Sequence, residues 1–228
     1  MRQLAFGGDR SELLQNLQMD FEFWIRITHL GNSALLIPAA VVLALCAWRA
    51  GQGALALAWT LSFGIALFIV LTSKLAFLGW GIGSAAIDFT GISGHTTVST
   101  AVLTMGLWLL AAGGSKWQRV LAVSAGLLLG ALVGFSRLAL DVHSVSEVVA
   151  GFGLGAAAAL LAIAYPQLVP RAMSHRWVLL AMFLALVLAP QMGRPAEAHG
   201  LVVKMALIAS GRDVPFNRTM LHRRAGNS

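Results

Sequence analysis

GFSRLALDVHSVSEVVAG, from Gly134 to Gly151, is a short polar stretch between two apolar runs, about Val120–Phe135 and about Val148–Tyr165. Runs of that length read as membrane-spanning helices, so the stretch is a tight connection at one edge of a bilayer. It carries Ser136, Arg137, His143 and Glu147. A guanidinium, an imidazole and a carboxylate at such an edge are costly unless paired or solvated. On a helix, the four-residue spacing of His143 and Glu147 stacks them on one face, where the carboxylate can accept a hydrogen bond from the imidazole. A carboxylate held this way fixes the tautomer and stabilises the imidazolium, making the histidine a better nucleophile or base. Arg137 offers a fork of donors suited to phosphate. The three groups together point to phosphoryl chemistry. Short motifs are weak alone, and an arginine that only anchors a helix end beside a surface His/Glu pair is the ordinary alternative.

Outward from this stretch the chain reads as an all-α, polytopic membrane helix bundle. Of 228 residues 58% are hydrophobic and only 11% charged, against about 25% charged in a soluble domain. Six apolar runs are expected to span: about Leu30–Trp48, Ala54–Leu78, Thr97–Ala112, Val120–Phe135, Val148–Tyr165 and the shorter Trp177–Pro190. Before them, residues 11–28 form an amphipathic pattern, with Leu13, Leu17, Phe21 and Trp24 opposite Glu12 and Asp20. Such a helix is expected to lie in the membrane plane. One domain therefore covers 1–228: an interfacial helix over 1–28, a helical core over 30–190 and a basic tail over 191–228, in which His199 to Ala209 suggests a short surface helix. The one cysteine, Cys46, excludes an intrachain disulfide. The net charge of +7 belongs to loops and tails that set topology and meet anionic lipid, so no nucleic-acid partner is expected. Small residues at four-residue spacing, Gly126, Gly130 and Gly134 in one run and Gly151 and Gly155 in the next, let backbones approach closely. The two runs are consecutive, so packing within the chain is expected.

A second polar cluster lies between the second and third runs, in KLAFLGWGIGSAAIDFTGISGHTTVST. Its glycines mark a loop, and Thr96–Thr100 opens a helix, so Ser93, Gly94 and His95 sit at a helix N-terminus. Free N–H groups and the helix dipole favour an anion there, and a histidine can give a proton to a leaving oxygen. Connectivity brings this loop to the same membrane face as the Ser136–His143 connection. Lys74, at the end of the second run, reaches that face too. Two histidines, two cations and a carboxylate fit in-line phosphoryl transfer through a phosphohistidine. Asp141 is read as the N-cap of the fifth helix. Asp88 has no assigned role, and His29, His175, His199 and His222 have no visible partner.

These residues resemble the type 2 phosphatidic acid phosphatase superfamily, membrane lipid phosphate phosphatases related to vanadium haloperoxidases. That family's pattern is K-x6-RP, then PSGH, then SR-x5-H-x3-D. Here the third motif reads SRLALDVHSVSE, from Ser136 to Glu147, with spacing intact, and the second reads ISGH, from Ile92 to His95. Glu147 stands where the family has aspartate, and Ile92 where it has proline. Lys74 is followed at the right distance by Gly81-Ile82, not Arg-Pro. So either another cation replaces that arginine, or phosphate is held with one contact fewer, or Lys74 is an interfacial lysine. The resemblance implies His143 as nucleophile, His95 as general acid and Glu147 as orienter of His143. It implies Arg137, Lys74, Ser93 and Gly94 as phosphate-binding groups, with no metal and no cofactor.

The three short loops on the opposite face carry Arg49, Lys116, Arg119, Arg171 and Arg176 with no acidic residue. The positive-inside rule makes that face cytoplasmic, although the basic C-terminal tail argues the other way. The expectation is a multi-pass protein of a bacterial inner membrane with the site facing the periplasm. The expected activity is hydrolysis of a membrane lipid phosphate: phosphatidic acid, phosphatidylglycerol phosphate, a polyprenyl diphosphate or a lipid A type. Alternatives are a lipid phosphotransferase on the same site and a non-catalytic phospholipid binder or translocator.

Overall fold

The computed structural model describes Met19 and residues 21–164 and 195–226. The sixth apolar run and most of the 11–28 pattern lie outside these residues. A helical segment over residues 21–29 turns at Leu30–Gly31 into α1, Ser33–Arg49. Asn32 caps α1, its Oδ1 accepting from the Ala34 N–H at 3.0 Å. Then follow α2 (Gly53–Trp80), α3 (Gly94–Leu110), α4 (Lys116–Ala139), α5 (Val145–Ile163), α6 (Pro195–Ser210) and α7 (Arg218–Gly226). Among the described residues four helical runs are long and apolar enough to cross a membrane: Phe21–Arg49, Gly53–Trp80, Lys116–Ala139 and Val145–Ile163. Large apolar side chains such as Leu61, Ile65 and Phe68 of α2, Leu121 and Leu128 of α4 and Leu161 of α5 point outward. An outward apolar surface is what lipid as solvent requires.

The centre of the bundle is α3. It has 17 residues, about 25 Å at the α-helical rise, and packs against α1, α2, α4 and α5. Val98, Ala101, Val102, Met105 and Leu109 are buried, as are Thr96, Thr97, Ser99, Thr100 and Thr104. Both glycine stripes face this helix instead of each other. A Cβ on Gly130 would sit 2.6 Å from Thr100 Cα, and one on Gly151 would sit 2.7 Å from the Ser93 carbonyl oxygen. Close approach is thus within the chain, as expected, but each stripe seats α3. Polar contacts join the other helices, as expected inside a bundle without a hydrophobic drive to associate. Trp59 Nε1 donates to the Ala40 carbonyl at 3.0 Å, and Ser62 Oγ to the Ala158 carbonyl at 2.8 Å.

Two helix junctions differ from the sequence reading. Asp141 does not cap α5. It sits at φ 53° and closes α4, where the Val142 N–H donates to the Arg137 carbonyl at 3.1 Å; a short polar side chain tolerates this left-handed turn. The N-cap of α5 is Ser144, in a reciprocal capping box with Glu147. S-x-x-E is the sequence signature of that box. The C-terminal segment is also more than a surface tail. α6 packs on α2, with Ala206 fully buried, and the Phe216 N–H donates to the Leu78 carbonyl at 2.9 Å. Phe216 and Leu221 form a small core with Phe77. Gly81 ends α2 at φ 72°. A Cβ there would meet the Phe216 ring at 2.9 Å and Arg224 Nη1 at 3.1 Å, so the close seat of Phe216 depends on glycine.

Candidate active site

The site lies where α2 ends, α3 begins, α4 ends and α5 begins. Glu147 is at its centre, on the first turn of α5 and fully buried. Its Oε2 is 2.6 Å from His143 Nδ1 and accepts from the Ser144 N–H at 3.2 Å. Its Oε1 accepts from the Thr90 N–H at 2.7 Å and from the Thr90 hydroxyl. One nitrogen of Arg218, from α7, reaches both carboxylate oxygens, at 3.0 and 3.1 Å. A buried charge needs that many donors. The capping box is the local cause of the geometry: it locks the carboxylate back over the start of α5, where His143 precedes the cap. The His143–Glu147 contact expected from spacing is present, although His143 lies in the turn before the helix.

Because the carboxylate accepts, His143 Nδ1 carries the proton, and the lone pair is on Nε2. Nε2 makes no hydrogen bond among the described residues. The imidazole side chain is 15% exposed. Burial pushes the His143 pKa below the ordinary histidine value, partly offset by Glu147 and reinforced by Lys74 and Arg137. The ring is therefore neutral at neutral pH.

Lys74, Arg137 and His143 all lie within electrostatic reach of His95, so the structure gathers Lys74, His95, Arg137, His143 and Glu147 as expected. Arg137 uses one terminal nitrogen to donate to the Thr28 hydroxyl at 2.9 Å, and its Nε is buried without a partner. Lys74 makes no hydrogen bond or ion pair among the described residues. The loop covers it at Gly91, where a Cβ would lie 3.3 Å from Lys74 Cγ. Ser93 is the N-cap residue of α3, but its hydroxyl does not cap the helix. It is fully buried and pairs with Thr96 Oγ1 at 2.9 Å, while its N–H donates to the Glu147 carbonyl at 3.1 Å. This ties the start of α3 to α5. Helix geometry leaves the Gly94 and His95 N–H groups without an intrahelical acceptor. A Cβ on Gly94 would make only ordinary contact, 3.5 Å from Val70.

Several site residues were not legible in the sequence. Asp88, unassigned there, accepts from Arg218 at 2.6 Å and lies 2.7 Å from His222 Nε2. His222 is therefore partnered, contrary to the reading above. Thr28 and Thr90 had no distinguishing signal, and Arg218 was one of several arginines in a basic segment.

The fold and this site define a helical membrane protein with a histidine–carboxylate pair beside two cations, an arrangement suited to a phosphate ester. A family model described as the PAP2 superfamily matches residues 83–171. The chain is 39% identical over 207 residues to an uncharacterized 22.5 kDa protein in the cps region of Klebsiella pneumoniae, covering 89% of this chain and 99% of that protein. No solved structure matches the chain. The chain belongs to the PAP2 superfamily, whose members are phosphatases.

Proposed function

We propose that this protein is a lipid phosphate phosphatase of a bacterial inner membrane, hydrolysing a phosphomonoester or diphosphate of a membrane lipid through a phosphohistidine. The observation that carries the reading is the pair of half-buried cations, Lys74 and Arg137, held near His143 without a carboxylate hydrogen-bonded to either. Cations partly withdrawn from solvent and left without an anion are costly, and a phosphate dianion would satisfy both while its phosphorus faces the free Nε2 of His143.

In the proposed reaction Nε2 attacks phosphorus, forming a P–N bond as the P–O bond to the lipid breaks. The leaving oxygen takes a proton from His95: burial and the neighbouring cations Arg137 and Lys74 push its pKa down to about 3, so the bound phosphate dianion must first raise it and bring the imidazole into its protonated form. Glu147 stabilises the imidazolium-like charge that develops on His143. Arg137, Lys74 and the N–H groups at the start of α3, from Gly94 and His95, hold the equatorial oxygens as their charge changes. Ser93 supports this helix start from behind. Water then gives a proton to His95 and attacks phosphorus, the P–N bond breaks, and inorganic phosphate leaves. The apolar outer face of the bundle keeps the lipid tail in the bilayer while its headgroup enters at the edge.

The test is phosphate release from a panel of short-chain lipid mono- and diphosphates in detergent, run on wild type and His143→Ala together. Release that disappears in the variant supports the reading; release near the wild-type rate in the variant removes it. Phosphate appearing on an added acceptor lipid instead of in solution would make the enzyme a transferase. The periplasmic orientation is tested by single cysteines in a Cys46→Ala background. Ser84→Cys should react with a membrane-impermeant thiol reagent once the outer membrane is permeabilised, and Ser115→Cys should not. The reverse pattern would put the site in the cytoplasm.

A further inference from the structure

We infer that Arg218, delivered by the C-terminal helix α7, is a positioning residue of this reaction that tunes His143 through Glu147. The inference rests on the catalytic reading above and extends it to a residue outside every motif that reading used. Its basis is geometric. One terminal nitrogen of Arg218 reaches Asp88 Oδ2 at 2.6 Å, and the other reaches both Glu147 oxygens at 3.0 and 3.1 Å. Asp88 is held in turn by His222, four residues further along α7, at 2.7 Å. Two residues of α7, one turn apart, thus grip the 81–93 loop, and one of them also grips the carboxylate behind the nucleophile.

The seat of α7 is built into the chain. Phe216 lies against Gly81, at the position where the related pattern has the arginine of its first motif, and a side chain there would collide with the ring. Arg212 and Arg224 stack on Phe216, their guanidinium carbons 4.1 and 4.4 Å from its centroid. The tail therefore occupies the space of the absent arginine and brings in a guanidinium of its own. That guanidinium is not placed as a phosphate ligand. Both of its terminal nitrogens are engaged by carboxylates, whereas Arg137 keeps a buried Nε without a partner. A group so committed acts on the reaction by holding Glu147.

The consequence is directional. Glu147 faces two cationic demands, from Arg218 and from the imidazolium that develops on His143. Arg218 draws on the same carboxylate and repels the same imidazolium, so it lowers the basicity of His143. Other charged or titratable groups around the pair are Lys74 from α2, Asp88 from the loop, His95 from α3, Arg137 from α4 and His222 from α7. His29 of the N-terminal segment bears on the pair through His95. Among the described residues, Arg218 is the one permanently charged cation that pairs directly with Glu147, beside the His143 imidazole. Its side chain is 37% exposed, which screens the interaction. Removing the charge should raise the His143 titration midpoint by about one pH unit, the low end for a charge at this range.

The experiment follows the His143 imidazole by NMR across a pH titration of the full-length protein in detergent, with His143→Ala assigning the resonance. Arg218→Gln and Arg218→Lys are compared with wild type, and kcat and KM are measured on the same samples. In Arg218→Gln the midpoint should rise by about one unit; kcat should fall about tenfold or more, because Glu147 loses the donor that holds it against His143 and lost orientation outweighs the gain in basicity, with KM within about threefold. Arg218→Lys keeps the charge and should hold the midpoint near wild type and recover part of kcat. An unchanged or lowered midpoint in Arg218→Gln overturns the inference. If that variant does not fold, Arg218→Lys decides: a wild-type midpoint with partial kcat supports the charge role, and a displaced midpoint overturns it. The titration needs no turnover, so failure of the phosphatase reading would show as absent phosphate release in wild type and remain separate.

Discussion

Glu147→Gln tests the centre of the site. From spacing alone the amide would keep the hydrogen bond to His143 and lose only the charge. The structure makes the substitution harsher. Both oxygens of Glu147 accept, one from His143 and Ser144, the other from Thr90, with Arg218 across the two. A glutamine has one accepting end. If its NH2 takes the Oε2 place it faces the His143 and Ser144 donors, and in the other orientation it faces Thr90 and Arg218. Either way about two buried donors lose their acceptor, at about 1–3 kcal/mol each, so the folded state should lose about 2–6 kcal/mol. Catalysis loses the carboxylate that stabilises the imidazolium. The comparable loss in a serine protease is about 10⁴ in kcat, and about 10²–10⁴ is expected here with KM little changed. The assay pairs phosphate release with thermal unfolding in the same detergent, so that lost protein is not counted as lost catalysis. Glu147→Asp should retain part of the activity, its shorter arm reaching the imidazole less well. Wild-type kcat in a folded Glu147→Gln protein would refute the reasoning and leave the pair as an ordinary helix cap.

Three further outcomes are expected. Orthovanadate should inhibit, because a trigonal-bipyramidal vanadate bonded to His143 Nε2 resembles the phosphoryl-transfer transition state; full activity at high vanadate would point to another nucleophile. The pKa of His143 lies below the ordinary histidine value through burial. The neutral nucleophile should therefore persist down through the usual histidine range of about 6.5, with turnover falling only at lower pH; an acidic limb above that range in the pH–rate profile would contradict it. Gly130→Ala should lower the unfolding temperature by several degrees, because its Cβ would overlap Thr100 Cα at 2.6 Å. Gly153→Ala on α5, where nothing lies within 4 Å, should be tolerated, and equal effects of the two would refute the packing role of the stripe.

How much was legible in the sequence depended on how local each cause is. The helices were legible because lipid demands long apolar runs with every backbone group paired internally. The third motif was legible because a four-residue spacing brings His143 to Glu147 within one turn. Connectivity between runs was enough to bring Lys74, His95 and Arg137 to one face. The S-x-x-E box at Ser144 was also local, and the choice of Asp141 as cap missed it; Asp141 instead takes the left-handed turn that closes α4.

Contacts distant in sequence were decided only by the tertiary structure. Glycine spacing announced close packing of α4 and α5 but did not name α3 as the helix they seat, since a smooth face carries no address. Thr28 reaches Arg137 across 109 positions, and Arg218 reaches Glu147 across 71. No periodicity or motif links such residues. An arginine in a basic segment is the same letter whether it meets water, anionic lipid or a buried carboxylate. What selects Arg218 is the docking of Phe216 against Gly81, a steric fit of a ring onto bare backbone that exists only once both segments are folded.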